Sequence, residues 1–211
     1  MYRFNAGTIA LSKDSVNTIA YSREEKPMSN HNDTRPRADV KRQDRAVHDD
    51  AWIAALLGRA PISYLATAHD GQPFINSNLF VYDPTRSAIY MHTARYGRTR
   101  ANVEADARVC LSVSEMGRLL PAKEALGFSV EYSGVTVFGT ARVVDDPEEA
   151  SYGLQLLLDK YFPHLRTGED YQPIVAEELA RTSVYRIDIE EWSGKRKVAA
   201  EDFPGAFYYS S

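Results

Sequence analysis

The chain has a single cysteine, Cys110, among 211 residues, so no disulfide can form within it. That thiol sits in the apolar run VCLSV and reads as a small buried hydrophobe suited to a reducing compartment. No window approaches the roughly 20 apolar residues of a membrane span. The opening residues are broken by Lys13 and Asp14 and lack the continuous apolar stretch of a secretion signal. The expected location is therefore the cytoplasm, with no membrane partner. Excess positive charge is also missing: 25 Lys and Arg against 29 Asp and Glu leave a net charge of −4, which gives no general footprint for nucleic acid. No histidine pair has HxH or HxxxH spacing, so no metal site is expected, and His31, His48, His69 and His164 fall in arms, turns or helix ends. Ser63, Ser112 and Ser129 lack the context of a nucleophile elbow, which leaves hydrolase chemistry without support.

What is present is enough apolar material, 44% of the residues, for a proper core. Residues 1 to about 45 show no sustained period and are rich in charge, as in SREEKPMSNHNDTRPRADVKRQDR; they read as an arm, partly disordered or draped on a surface. Residues 46–211 read as one domain. It begins with a helix in HDDAWIAALLGR, capped by Asp49 or Asp50, with Trp52, Ile53, Leu56 and Leu57 on one face. Three strands follow in quick succession, ISYLATA, PFINSNLFVYD and SAIYMH, the first two joined by the hairpin signal Asp70-Gly71. ARVCLSVSE gives a fourth, MGRLLPAKEALGF a looser connection, and SVEYSGVTVFGTARVVD the longest β pattern. There Val135, Val137, Gly139, Ala141 and Val143 share a face, with Gly134 and Gly139 expected at bulges or bends. Asp146-Pro147 opens a helix to Pro163, QPIVAEELAR reads as another, SVYRIDIEEW as the last strand, and SGKRKVAAEDFPGAFYYSS as an irregular tail. Six mostly antiparallel strands with late helices predict a small β-barrel decorated by helices.

The stretch MHTARYGRTRANVEADARVC places Arg95, Arg98 and Arg100 where a strand passes through a glycine into a helix. Unpaired amides at a helix start and the planar fork of arginine together suit a phosphate. The competing reading is a solvated helix start whose arginines pair with Glu104 and Asp106.

In order, ISYLATAHDGQPFINSNLFVYD, AIYMHTARYGRTRANVEADARVCLSV, YSGVTVFGTARVV and YRIDIEEWSGKRK resemble the pyridoxamine 5′-phosphate oxidase-like superfamily, nearest its nitroimidazole-resistance reductase branch. The resemblance covers about residues 45–197. It implies a mainly β, six-stranded antiparallel split barrel decorated by helices, forming a homodimer with FMN at the subunit interface. It places Met91, His92, Thr93 and Ala94 beside the flavin, and Arg98 on its phosphate with Arg95 or Arg100 assisting. Thr99 adds a hydroxyl for that phosphate. Asn76, Ser77 and Asn78 match the strand at the ring edge, Ala66 and Thr67 the neighbouring strand end, and Trp192, Lys195 and Arg196 the C-terminal segment that approaches the cofactor. His92 becomes the candidate catalytic residue, orienting a small-molecule substrate or giving it a proton; the structural alternative is a histidine bonded to backbone at a strand end. The ending AFYYSS lacks the phosphate-reading tail of true pyridoxamine phosphate oxidases. The implied activity is an FMN-dependent oxidoreductase taking electrons from a reduced nicotinamide to a small organic acceptor such as a nitroaromatic. Flavin binding without a dedicated substrate, a haem- or deazaflavin-binding barrel, and a non-catalytic module remain as alternatives.

Overall fold

The computed structural model describes residues 36–210, so most of the arm expected over 1–45 lies outside the described residues. From Pro36 the chain runs along the sheet. Arg37 pairs with Glu190 and Glu191 at 2.8 and 2.7 Å, and its guanidinium lies 5.5 Å from the Phe138 ring centroid. Strand β1 (Ala46–Val47) then leads into helix α1 (Asp50–Arg59). Asp49 caps α1 through its side chain, which accepts from the amides of Ala51 and Trp52. Ile53, Leu56 and Leu57 go into the core, and Trp52 packs at its margin.

The body is β2 (Ser63–His69), β3 (Gln72–Asn78), β4 (Phe80–Asp83), β5 (Ala88–Ala94), helix α2 (Arg98–Ala105), β6 (Arg108–Leu120) and β7 (Ser129–Val143). Helices α3 (Pro147–Tyr161) and α4 (Ala176–Leu179) follow, then β8 (Thr182–Lys197) and β9 (Phe207–Tyr208). The main path runs β3-β2-β6-β7-β8-β5-β4, with β1 on β8 and β9 on β6, and every pairing between these strands is antiparallel. β3 and β4 are the two ends of the path and do not pair, so the barrel is split.

The split has a local cause. PFINSNLFVYD, read as one strand, divides at Leu79, so the path has seven strands rather than six. The Asn78 side chain accepts from the Leu79 amide at 2.9 Å and donates to the His92 carbonyl at 2.5 Å. This turns the chain away from β2 and delivers Phe80 to β5 opposite Met91.

Alternation decides what is buried. Val135, Val137, Gly139 and Ala141 are buried while the residues between them are not. Val135, Val137 and Ala141 join Leu65, Leu111, Val113, Met91 and Ile187 in the barrel core. A second cluster lies under α3, where Tyr90, Val81, Val184 and Leu157 meet. Lys160 on α3 ties the layers together, its ammonium donating to the carbonyls of Ala60 and Phe80 at 2.9 and 3.0 Å.

Four expectations change. Gly139 marks a bulge against β8, but Gly134 sits in regular register. MGRLL belongs to β6, and SGKRK continues β8 because β7 and β1 pair with it on either side. QPIVAEELAR forms a helix only over Ala176–Leu179.

The rest of the C-terminal segment is held by one ion pair. Arg118 and Glu131, 16% and 12% exposed, meet at 2.7 Å. Glu131 also accepts from the Ala199 amide, and Arg118 donates to the carbonyls of Ala200 and Glu201. The Arg118 guanidinium and the Ala199 amide hold the Glu131 carboxyl at about 2. Glu149 also lies at about 2: burial works against its charge, but Arg142, Tyr90 and Arg186 outweigh it. Both lie below the ~4.3 of an unfolded-chain glutamate. Their stabilisation is therefore complete above about pH 4.3 and is lost as pH falls toward 2. Melting temperatures should drop steeply between pH 4.5 and 2.5, and Glu131→Gln should flatten that drop.

Candidate functional site

Strand β5 ends at Ala94 and the loop Arg95–Gly97 feeds α2. Gly97 is the N-cap, at φ 152°, a left-handed value that side-chain-bearing residues rarely adopt. No side chain caps the helix, and open space surrounds the position where a Gly97 Cβ would sit. The first-turn amides of α2 thus lack intrahelical partners and carry the positive end of its dipole.

Arg98 stands at this start, exposed, with its guanidinium 5.4 Å from the Phe74 ring centroid on β3. Among the described residues it makes no hydrogen bond or ion pair. Arg100 differs: it pairs with Glu104 at 2.7 Å and donates to the Ser183 hydroxyl at 3.1 Å. Ser183 in turn donates to the Arg95 carbonyl at 3.0 Å and so braces the loop. The solvated-pair reading therefore holds for Arg100 and not for Arg98. Asp106 takes Arg108 rather than a loop arginine.

Two hydrogen bonds, one part-buried and one buried, fix α2 to the sheet. The Asn76 side chain donates to the Thr99 hydroxyl at 3.2 Å, and the Asn102 side chain donates to the Thr67 hydroxyl at 2.9 Å. Thr99, Asn102 and Thr67 are each at most 6% exposed. Thr67, Asn76 and Thr99 thus meet, with Thr99 as a brace. Asn102, Phe74 and Ser183 were missed; a buried asparagine on an otherwise polar helix was the one sequence signal, in RTRANVEA.

The remaining candidates divide. Ser77 is exposed and Ala66 half-buried on β3 and β2, next to this group. Met91 is fully buried in the barrel core, which turns its side chain away from any surface ligand. The Thr93 hydroxyl lies 2.9 Å from that of Tyr185, and Ala94 is exposed. His92 is half-buried, and its Nδ1 is buried without a hydrogen-bond partner among the described residues. Burial pulls its pKa below the usual 6.5 and keeps the ring neutral near pH 7. Asn78 donates to its backbone carbonyl, but the ring makes no hydrogen bond among the described residues, so the side chain is not the backbone-satisfied histidine of the structural alternative.

Trp192, Lys195 and Arg196 stand apart from the loop. Val184 of β8 lies opposite His92, and Lys195 comes eleven residues later, on the order of 36 Å of extended chain. There the Trp192 indole donates to Asp50 at 2.8 Å, and Lys195 pairs in the ladders with Gly134 and Ala46. Within one chain the two groups therefore lie far apart along β8.

No curated protein matches the chain. Among solved structures it is similar to the flavocytochrome Anf3 of Azotobacter vinelandii, with 24% identity, TM-score 0.68, and 84% of this chain and 86% of that one covered. It is also similar to an FAD- and haem-binding protein of Mycobacterium smegmatis (22%, 0.64, 74% of each chain). A third likeness is to a protein provisionally assigned to 5-nitroimidazole antibiotic resistance in Bacteroides thetaiotaomicron (16%, 0.60, 72% of this chain and 86% of that one). At these identities the likeness is one of fold. No helix among the described residues is long and apolar enough to cross a membrane. The family model for pyridoxamine 5′-phosphate oxidase matches residues 49–196, more than two thirds of the chain, and the protein belongs to that family.

Proposed function

We propose that this protein binds FMN at the Arg98 loop and acts as a flavin-dependent oxidoreductase, drawing electrons from a reduced nicotinamide and passing them to a small organic acceptor, nitroaromatics included. The observation that carries the reading is Arg98: an unpaired guanidinium beside the uncapped start of α2, behind a glycine that leaves the approach open. That donor set fits a phosphate ester. A bound flavin supplies the hydride and electron chemistry. The chain's own residues bind and orient it. Arg98 and the α2 amides take the phosphate, while the Asn76–Thr99 and Asn102–Thr67 bonds keep those amides in place. Asn78 pins the end of β5 and so holds the neutral His92 at the strand end that feeds the loop.

The separation of the Trp192–Arg196 segment from the loop supports a homodimer in which each subunit completes the other's site. The lone thiol is consistent with a cytoplasmic setting. The test is anaerobic mixing of the flavin-loaded protein with NADH and NADPH. Bleaching of the flavin, followed by recovery on adding a nitroaromatic, is expected; a flavin that stays oxidised would reduce the protein to a flavin carrier.

One observation favours a second reading, in which the chain also holds haem as its flavocytochrome and FAD- and haem-binding relatives do. The half-buried His92 imidazole, kept neutral by burial, is in the protonation state that ligates a metal. Haem titration should then give a Soret band that His92→Ala removes.

A further inference from the structure

A cavity of about 290 Å³ lies between the end of β7, the start of α3, α4 and the first residues of β8. Its wall is mainly apolar, with Val144, Ala150, Leu179 and Val184 on it. Four polar side chains complete the wall, and two of them are already engaged. Arg100 pairs with Glu104 and Ser183, and the Thr182 hydroxyl donates to the Glu178 carbonyl at 2.9 Å. The other two are Arg95 and Asp145. Neither side chain makes a hydrogen bond or ion pair among the described residues, with the other or with any third group, and both residues are exposed.

An apolar cavity thus carries one free cation and one free anion that do not neutralise each other. A ligand with a carboxylate alone would meet repulsion from Asp145, and one with an ammonium alone would meet it from Arg95. A ligand bearing both charges on one end and an apolar body on the other satisfies the whole wall. The volume equals that of about ten waters at ~30 Å³ each, which suits a molecule of about ten non-hydrogen atoms. We propose that this cavity binds a free apolar α-amino acid of the size of leucine or phenylalanine. Arg95 holds the carboxylate, Asp145 the ammonium, and the side chain lies against Leu179 and Val184. The proposal does not rest on the flavin reading, although Arg95 and Arg100, which the resemblance sets near the flavin phosphate, both line this cavity.

Calorimetric titration of the full chain with L-leucine and L-phenylalanine tests the proposal. The analogues lacking one charge are 4-methylpentanoate, 3-methylbutylamine, 3-phenylpropanoate and 2-phenylethylamine. Each amino acid should bind at least tenfold more tightly than either of its analogues. Arg95→Ala should erase the advantage over the amine, and Asp145→Asn the advantage over the acid. Ala176→Phe fills the cavity from an exposed position on α4; it should abolish binding of all six compounds while FMN uptake persists. Equal affinity for amino acids and analogues, or binding untouched by Ala176→Phe, would overturn the proposal, as would no binding at millimolar concentrations. FMN uptake in the same samples separates that failure from a failure of the flavin reading.

Discussion

Replacing Arg98 with alanine is expected to raise the dissociation constant for FMN about 10- to 100-fold and to leave the melting temperature nearly unchanged. A charge-assisted contact to a phosphate contributes roughly 1.5–3 kcal/mol, and each 1.4 kcal/mol is a factor of ten. The side chain is exposed, approaches the face of Phe74 and makes no hydrogen bond or ion pair among the described residues, so its removal costs the fold little. Arg98→Lys should fall between the two, keeping the charge but losing the planar fork. Arg100→Ala makes an informative contrast. It breaks the Glu104 pair and frees Ser183 beneath the Arg95 carbonyl, so it should lower stability and affinity together. Equilibrium dialysis beside thermal melts separates these outcomes.

The second large effect belongs to Gly139. A Cβ built there would lie 2.0 Å from the Asp188 carbonyl oxygen and 3.1 Å from its carbon. Both neighbours are backbone in the adjoining strand, at the point where the β7–β8 register shifts. Neither can swing aside as a side chain could, so two strands in the middle of the path must separate. We expect Gly139→Ala to destabilise the fold by more than ~4 kcal/mol, at the extreme of single substitutions, and to yield mainly insoluble protein. Gly134→Ala is the control. Its Cβ would meet the Val113 oxygen at an ordinary 3.6 Å, and the register there is regular, so this variant should fold and melt close to the parent. Denaturant unfolding of both variants decides the matter.

These two glycines also show how far residues alone carry the fold. Both sit in the alternating pattern of β7, where either could mark a bend, and only the neighbouring strand distinguishes them. Alternation identified β7 and its inward stripe because a period of two depends on the strand itself. The end of β8 was hidden for the opposite reason: SGKRK is polar and reads as tail, yet ladders from β7 and β1 hold it extended. The division at Leu79 was hidden too, since it depends on the His92 carbonyl fourteen residues beyond Asn78.

At the candidate site the arginine loop stood out as local charge beside a glycine. Which arginine is free did not, because Arg100 is engaged by Ser183 from 83 residues away. The braces Asn76–Thr99 and Asn102–Thr67 span 23 and 35 residues and appear only when β2, β3 and α2 come together. Family resemblance grouped Trp192, Lys195 and Arg196 with the loop, but within one chain the sheet keeps them apart.

The most direct measurement is the amount of flavin retained by purified protein after saturation with FMN and removal of free ligand, read with the molar mass in solution. One flavin per subunit in a dimer, lost on Arg98→Ala, is the expected result. A colourless monomer that leaves FMN and FAD alike in the filtrate would contradict the flavin site, whatever the fold.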